Sequence, residues 1–339
     1  MCYSIFMTTE INWPILGHQK IQEYLQKSLK NGIIYPVYLF IGPKSVGKRT
    51  VAENFIKTLH CYAYDQDKNA CLTYPCNECI HCQQLAKKIH PDHFDTILPA
   101  GKKQIPIEQV RELQNKLSAK AFLSGYKTAL IENIDTLTTE AANALLKNLE
   151  EPSAKTVIIL TTSHKENVLP TILSRCQLIN FSPVSFEEIY DYLLAQKVEK
   201  DLARELALLS QGRPGSIIGK ITELSKKSNF DTKKNFLKIF KTTKIPERLQ
   251  YIENNFKDKN FDLAILDEWL SIIRDLLVSK LSLDNLVVNI SFQVEIKNSL
   301  ANLSLKRLVR ALKQVQAARA ILKGNVNQKL ILENLIINI

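Results

Sequence analysis

The chain has 339 residues, 45% of them apolar, enough for two or three domains that each bury a core. No apolar run reaches the ~18 residues a membrane span requires. The N-terminal stretch "MCYSIFMTTE" has neither a basic segment nor a long apolar one. That speaks against a signal peptide and leads us to expect a cytoplasmic protein, with Met7 as a candidate start. The formal net charge of +11 is uneven: residues 221–339 carry 20 Lys/Arg against 12 Asp/Glu, and residues 1–220 carry 25 against 22. A basic last third suits contact with DNA or with acidic partner surfaces, and equally a lysine-rich solvated surface.

"VYLFIG" (37–42) reads as a buried strand, and "VAENFIKTLH" (51–60) as the helix that follows it. Between them, "GPKSVGKRT" holds Gly42, Gly47 and Lys48 at the spacing of a phosphate-binding loop. In such a loop backbone N–H groups point at phosphate oxygens, the helix dipole adds positive potential, and the lysine reaches the outer phosphates. The next position requires a Ser or Thr hydroxyl for magnesium, and here it is Arg49. Thr50 comes one residue late, on another face of the helix. A phosphate cradle is therefore expected, magnesium is not, and ATP binding stays open.

Five of the seven cysteines fall between Cys61 and Cys82. In a cytoplasmic protein such clustering points to a metal rather than to disulfides. Cys76, Cys79 and Cys82 stand at C-x-x-C-x-x-C spacing, and three thiolates need a fourth ligand to complete the tetrahedron zinc prefers. Cys61 and Cys71 are the candidates, with His60 and His81 as weaker ones. A closed structural zinc site would pin a loop that has little core of its own.

"TALIENI" (128–134) and "TVIILTT" (156–162) are further strands, and between them "EAANALLKNLEEP" is a helix that Pro152 stops. This strand–helix alternation implies an α/β fold, a parallel sheet covered by helices. A phosphate-loop ATPase carries an acidic pair at the end of such a strand. This chain offers Glu132 and then Asn133, whose carboxamide takes no proton from water. Asp135 lies two residues further on.

Beyond Pro183, Ser185 and Glu188 form a capping box with Val184 placed as a staple. Two helices follow and end near "SQGRPGS". From about Glu223 the chain reads as helical throughout. "SLKRLVRALKQVQAARAILKG" puts Leu305, Leu308, Val309, Leu312, Val315 and Leu322 on one face and Lys306, Arg310 and Lys313 on another, with Gly324 as a stop.

"GHQKIQEYL", the loop, "YKTALIENIDTLTTEAANALLKNLEEPSAKTVIILTTS", "LPTILSRC" and "NVNQKLILENL" together resemble the bacterial clamp-loader subunits of DNA polymerase III, of the AAA+ class. The altered ATPase residues place the chain with the delta-prime branch, the alternative being a gamma/tau-type motor subunit that hydrolyses ATP. The resemblance implies a RecA-like AAA+ domain with a zinc module over residues 1–183 (module about 61–82), a helical lid over 184–222 and an all-helical collar over 223–339. It implies gamma/tau and delta subunits as ring partners, with the sliding clamp and primed DNA met through the complex. It ranks Cys61 above Cys71 as fourth zinc ligand. It puts Glu132 at the magnesium-binding acid, Asn133 at the catalytic glutamate and Thr162 at the sensor position of the next strand. It puts Gly215 where motor subunits carry a lid arginine, Arg213 lying two residues earlier. It gives Arg175 of "SRC" the role of an arginine finger that reaches a neighbouring subunit's ATP site.

Overall fold

The structure is a computed structural model that describes residues 10–64, 73–99, 101–102, 104–123, 125–218, 235–238, 240, 242, 245–256, 263–300, 303–322, 326 and 328–339. Cys71, Glu223 and Gly324, named above, lie outside the described residues, as does the Met7 start. Two compact units form, one from residues 1–192 with 211–216, the other from 193–210 with 217–339. Among the described residues no helix is long and apolar enough to cross a membrane.

In the first unit the chain runs β1 (Glu10–Ile11), α1 (Gln19–Asn31), β2 (Val37–Ile41), α2 (Lys48–Tyr64), β3 (Thr73–Tyr74), α3 (Ile80–Ala86), β4 (His93–Thr96), α4 (Ile107–Ser118), β5 (Lys127–Ile131), α5 (Thr139–Glu150), β6 (Thr156–Thr162), α6 (Pro170–Leu173), β7 (Gln177–Asn180) and the start of α7 (Phe186–Ala195). Five strands form one parallel sheet in the order β4-β5-β6-β2-β7. This is the RecA-like AAA+ sheet that the resemblance implied. Parallel strands covered on both faces need apolar side chains in both directions, and β2, β5 and β6 supply them. Tyr38, Phe40, Val157 and Ile159 pack in a core with Phe55 and Leu59 of α2 and Leu25 of α1. The alternate residues Val37, Leu39, Ile158 and Leu160 pack with Val110 of α4 and Leu145 of α5.

The register pairs Ile41 with Thr162 across β2 and β6, and Ile131 with Leu160 across β5 and β6. The carboxyl ends of three central strands therefore lie side by side, the edge where open α/β sheets hold their ligands. The capping box forms: the Glu188 N–H donates to Ser185 Oγ at 3.2 Å, and the Ser185 N–H donates to Glu188 Oε2 at 3.3 Å.

The second unit is helical: α8 (Lys200–Ser210), α10 (Ile245–Phe256), α11 (Leu263–Lys280), α12 (Gln293–Ser299), α13 (Leu305–Ile321) and α14 (Gln328–Asn338), while α9 (Gly215–Ile218) runs from the first unit into it. Trp269 of α11 stacks on Phe236 with ring centroids 4.7 Å apart. Along α13 the buried stripe is Leu308, Ala311, Val315, Ala318 and Leu322, whereas Leu305 and Val309 are exposed. This corrects the apolar face expected above. Val315 sits at the centre of the stripe with Ala311 and Ala318 on either side, and α13 packs against α11.

Candidate functional site

The glycine loop leaves β2 and enters α2 as the sequence implied, and its carbonyl groups are already engaged. A Cβ on Gly42 would come within 2.5 Å of the Phe181 carbonyl oxygen, so only glycine lets the loop lie against the chain after β7. Gly47 has φ +115°, a conformation that side chains disfavour. Buried Lys48 folds back into the loop. Its Nζ donates to the Gly42 carbonyl, to the Pro43 carbonyl at 2.9 Å and to Ser163 Oγ at 3.3 Å. Burial brings its pKa down to about 8. His18 Nε2 sits 2.8 Å from the Val46 carbonyl oxygen, its ring edge-on to Phe181. Gly215 N–H donates to the Ser45 carbonyl at 2.9 Å, and a Cβ there would meet that same oxygen at 2.9 Å. Gly215, which the resemblance put at a lid-arginine position, is thus pressed against the loop with no room for a side chain.

Arg49, in the first turn of α2, turns toward the acidic strand ends. Its Nε donates to Glu53 Oε1 at 2.7 Å, its Nη1 donates to Glu132 Oε1, and its Nη2 lies 3.6 Å from Asp95 Oδ2. Burial works against the charge on Arg49, but Glu53, Glu132 and Asp95 outweigh it and hold its pKa above the ordinary value. Burial pushes the Glu132 carboxyl up, with Arg49 opposing. Asp95 is also raised by burial, but hydrogen bonding from His93 and the charges of His93 and Arg49 bring it below the usual range. Glu53 and Asp95 were not singled out from sequence. Only Glu53 could have been, standing one helical turn after Arg49. Thr50 is exposed and does not join the cluster.

Asn133 follows Glu132 at the end of β5 with φ +54°, and its N–H donates to Thr161 Oγ1 at 3.2 Å. Thr162, at the end of β6, donates from Oγ1 to Asp135 Oδ1 at 2.7 Å. Both carboxylates flanking Asn133 therefore have partners, Glu132 on Arg49 and Asp135 on Thr162.

Arg175 lies between α6 and β7, outside the loop cluster. Its Nη2 is 2.6 Å from Glu150 Oε1 at the end of α5, and its Nη1 donates to the Thr171 carbonyl at 2.9 Å and to Ser174 Oγ at 3.2 Å. One third of its side chain stays exposed (34%). Glu150 was not singled out from sequence.

Cys61, Cys76, Cys79 and Cys82 converge, their sulfurs all within 4.8 Å of one another. Separations of 3.5 Å (Cys61–Cys76), 4.0 Å (Cys76–Cys82) and 4.0 Å (Cys61–Cys79) bracket the ~3.8 Å edge of a tetrahedron with zinc–sulfur bonds of ~2.3 Å. The N–H groups of Cys76, Cys79 and Cys82 donate to the sulfurs of Cys61, Cys76 and Cys79 at 3.5, 3.3 and 3.4 Å, so peptide dipoles already face the thiolates. The Cys61 thiol beside it draws the Cys82 thiol down to about 6. The donor set fits a zinc ion held by Cys61 near the end of α2, by Cys76 and Cys79 from the turn before α3 and by Cys82 in the first turn of α3.

Behind these thiols His60, His81 and His90 are buried together. The Asp92 N–H donates to His90 Nδ1 at 3.1 Å, so a neutral His90 carries its proton on Nε2, which faces His81 Nδ1 at 2.9 Å. These contacts engage Nδ1 of both His90 and His81 within the protein.

A family model described as DNA polymerase III, delta subunit, matches residues 17–185, and one described as its C-terminal part matches residues 227–339. The chain is 28% identical to DNA polymerase III subunit delta' of Bacillus subtilis over 337 residues, 96% of this chain and 98% of that one. It is 40% identical to subunit delta' of Pseudomonas aeruginosa over 139 residues, 41% of this chain and 40% of the relative. It is 30% identical to subunit gamma of Buchnera aphidicola over 53% of this chain and 47% of the relative. Among solved structures, a gamma subunit-related protein from Thermotoga maritima aligns over 93% of this chain and 97% of that one, with TM-score 0.48 and 19% identity.

Proposed function

Because the chain belongs to the DNA polymerase III delta-subunit family, we propose that it serves the clamp loader as a delta-prime-type subunit that assembles with gamma/tau and delta but does not itself hydrolyse ATP. The observation that carries this reading is Asn133 at the β5 end together with Arg49 in the first turn of α2. Asn133 stands where a general base is needed, and the neighbouring carboxylates of Glu132 and Asp135 are engaged by Arg49 and Thr162. A carboxamide takes no proton from water, and the two flanking carboxylates are already hydrogen-bonded within the unit. The gamma/tau motor reading draws on similarity over only about half of the chain, and Asn133 argues against it.

The chain's chemical contribution goes to a neighbour. Arg175 would leave Glu150 for the phosphates of an ATP held by the adjoining motor subunit, where a planar fork of donors matches developing negative charge. A zinc ion on Cys61, Cys76, Cys79 and Cys82 would fix the module between α2 and α3 and take no part in reaction. The helical second unit would serve as the collar through which the ring assembles, and sliding clamp and primed DNA would be met by the assembled complex.

The test is steady-state ATP turnover by the purified chain, alone and with clamp and primed DNA. Turnover at background supports the reading. Turnover that disappears in Lys48→Ala would return the chain to the motor class.

A further inference from the structure

The cluster around Arg49 holds more than the loss of a magnesium hydroxyl. We infer that the Arg49 guanidinium is a resident cation: it occupies the position between the loop helix and the acidic strand ends that a divalent ion would need, and it keeps this site closed to metal. The inference rests on the first unit's own geometry and holds whether or not the chain works in a clamp loader.

Three carboxylates from three separate elements surround one guanidinium: Glu53 from α2, Asp95 from β4 and Glu132 from the residue after β5. Glu132 and Asp95 come from adjacent paired strands, and α2 brings both Arg49 and Glu53 across to them. Without Arg49 these acids would be left with their mutual repulsion: beyond the effect of burial, Asp95 and Glu53 already push the Glu132 carboxyl upward. A divalent ion with oxygen ligands is the usual remedy for such a group. Here a side chain supplies the charge permanently. A magnesium ion has no entry, because Arg49 occupies the hydroxyl's place in the sequence and its Nη1 takes the Glu132 oxygen that the ion would need.

The consequence is conformational. In a nucleotide-cycling subunit the links among loop helix, strand ends and metal form and break with each turnover. In this chain the same three elements are tied by an ionic cluster that needs no ligand.

Manganese alone is the probe, with the zinc-replete full-length chain. Binding is read by the paramagnetic resonance signal of free Mn2+, and stability by the thermal midpoint. The wild type should bind no Mn2+ apart from weak surface sites, and 5 mM Mn2+ (about that concentration) should leave its midpoint within about 1 °C, since a ligand that does not bind the native state cannot shift its unfolding. Arg49→Ser should have a lower midpoint, bind one Mn2+ per chain at sub-millimolar concentration and recover stability as the ion is added. Arg49→Ser/Glu132→Gln should lose that binding. Should Arg49→Ser fail to fold without metal, its refolding yield with and without Mn2+ replaces the midpoint, and rescue by the ion supports the inference. One tight Mn2+ on the wild type that Glu132→Gln abolishes would overturn it. So would a folded Arg49→Ser chain that takes up no ion, or an unfolded one that the ion fails to rescue.

Discussion

Arg49 and Arg175 are equally exposed, 34% of each side chain reaching solvent, yet their surroundings assign them opposite behaviour. Arg49 faces Glu53, Asp95 and Glu132 and so holds three carboxylates within one unit. Arg175 faces one carboxylate, that of Glu150, itself 47% exposed, and otherwise the Thr171 carbonyl and Ser174 hydroxyl. A single exposed ion pair contributes ~0–1 kcal/mol, which a phosphate on a neighbouring subunit can outcompete. A guanidinium shared among three partly buried acids cannot leave without exposing their mutual repulsion. The same side chain is tied to three carboxylates in one corner and to one in the other, and that number sets how firmly each is held.

The comparison breaks first at Arg175. In a reconstituted complex that assembles normally by sizing, Arg175→Ala should slow hydrolysis at the adjoining site on the order of 10³-fold. Total ATP turnover should fall only in part, because other sites remain, and clamp loading should fall further. Unchanged clamp-loading rates would make Arg175 an ordinary surface residue. Arg49→Ala in the same complex should leave partner hydrolysis close to normal.

The far end of α2 supplies the next test. Cys61→Ser, Cys76→Ser or Cys79→Ser should each lose zinc, read as one metal per chain falling toward none by atomic emission. Each should also lower the thermal midpoint by several degrees, on the order of 1–3 kcal/mol, since metal binding and folding of a small module are linked. Cys71→Ser should keep both metal and midpoint. Zinc retained in Cys61→Ser and lost in Cys71→Ser would move the fourth ligand.

Lys48 sharpens the contrast through pH. Its folded pKa lies at about 8, below the unfolded value of about 10.5. Between those values the unfolded chain binds the proton that the folded chain has released, so the Lys48 contribution to stability rises with pH across that window, by at most ~1.4 kcal/mol per pH unit. Below pH 8 both states bind it and the contribution is flat. Denaturant unfolding of the wild type and Lys48→Met from pH 8 to 10 should show the difference growing in favour of the wild type. A constant difference would mean that Lys48 keeps its ordinary affinity for protons.

The smallest effect belongs to Glu150. Glu150→Gln should change folding stability by less than ~1 kcal/mol and alter clamp loading only a few-fold, through the resting position of Arg175. A loss as large as that of Arg175→Ala would show that the pair acts as one unit.

Much of the first unit was legible because its signals are local. The glycine loop, the apolar runs of β2 and β6 and the capping box at Ser185 are each written within a few residues of sequence. β4 and β7 were not, being four residues each with polar ends ("HFDT", "QLIN"), and they acquire strand character only from the neighbours they pair with. β5 was legible but ends at Ile131, before the Glu132–Asn133 pair. The α13 stripe was displaced because periodicity read from sequence weights large apolar residues and passes over Ala311 and Ala318, which the fold buries while leaving Leu305 and Val309 exposed.

The amino-acid sequence by itself determined Arg49 after Lys48, Asn133 after Glu132, Gly215 two residues after Arg213 and the thiol spacing from Cys76 to Cys82, while the roles of Asn133 and Gly215 are what the family resemblance implies. Each is a property of one residue or one short spacing, so no folded context is needed to read it. Only the tertiary structure decided that Asp95 and Glu132 would meet on Arg49, that Cys61 would reach the other three thiols and that Glu150 would hold Arg175. Those partners lie tens of residues apart in the chain. They meet because parallel crossovers return each strand beside its neighbour, and no spacing within a helix or a turn records where a crossover will end.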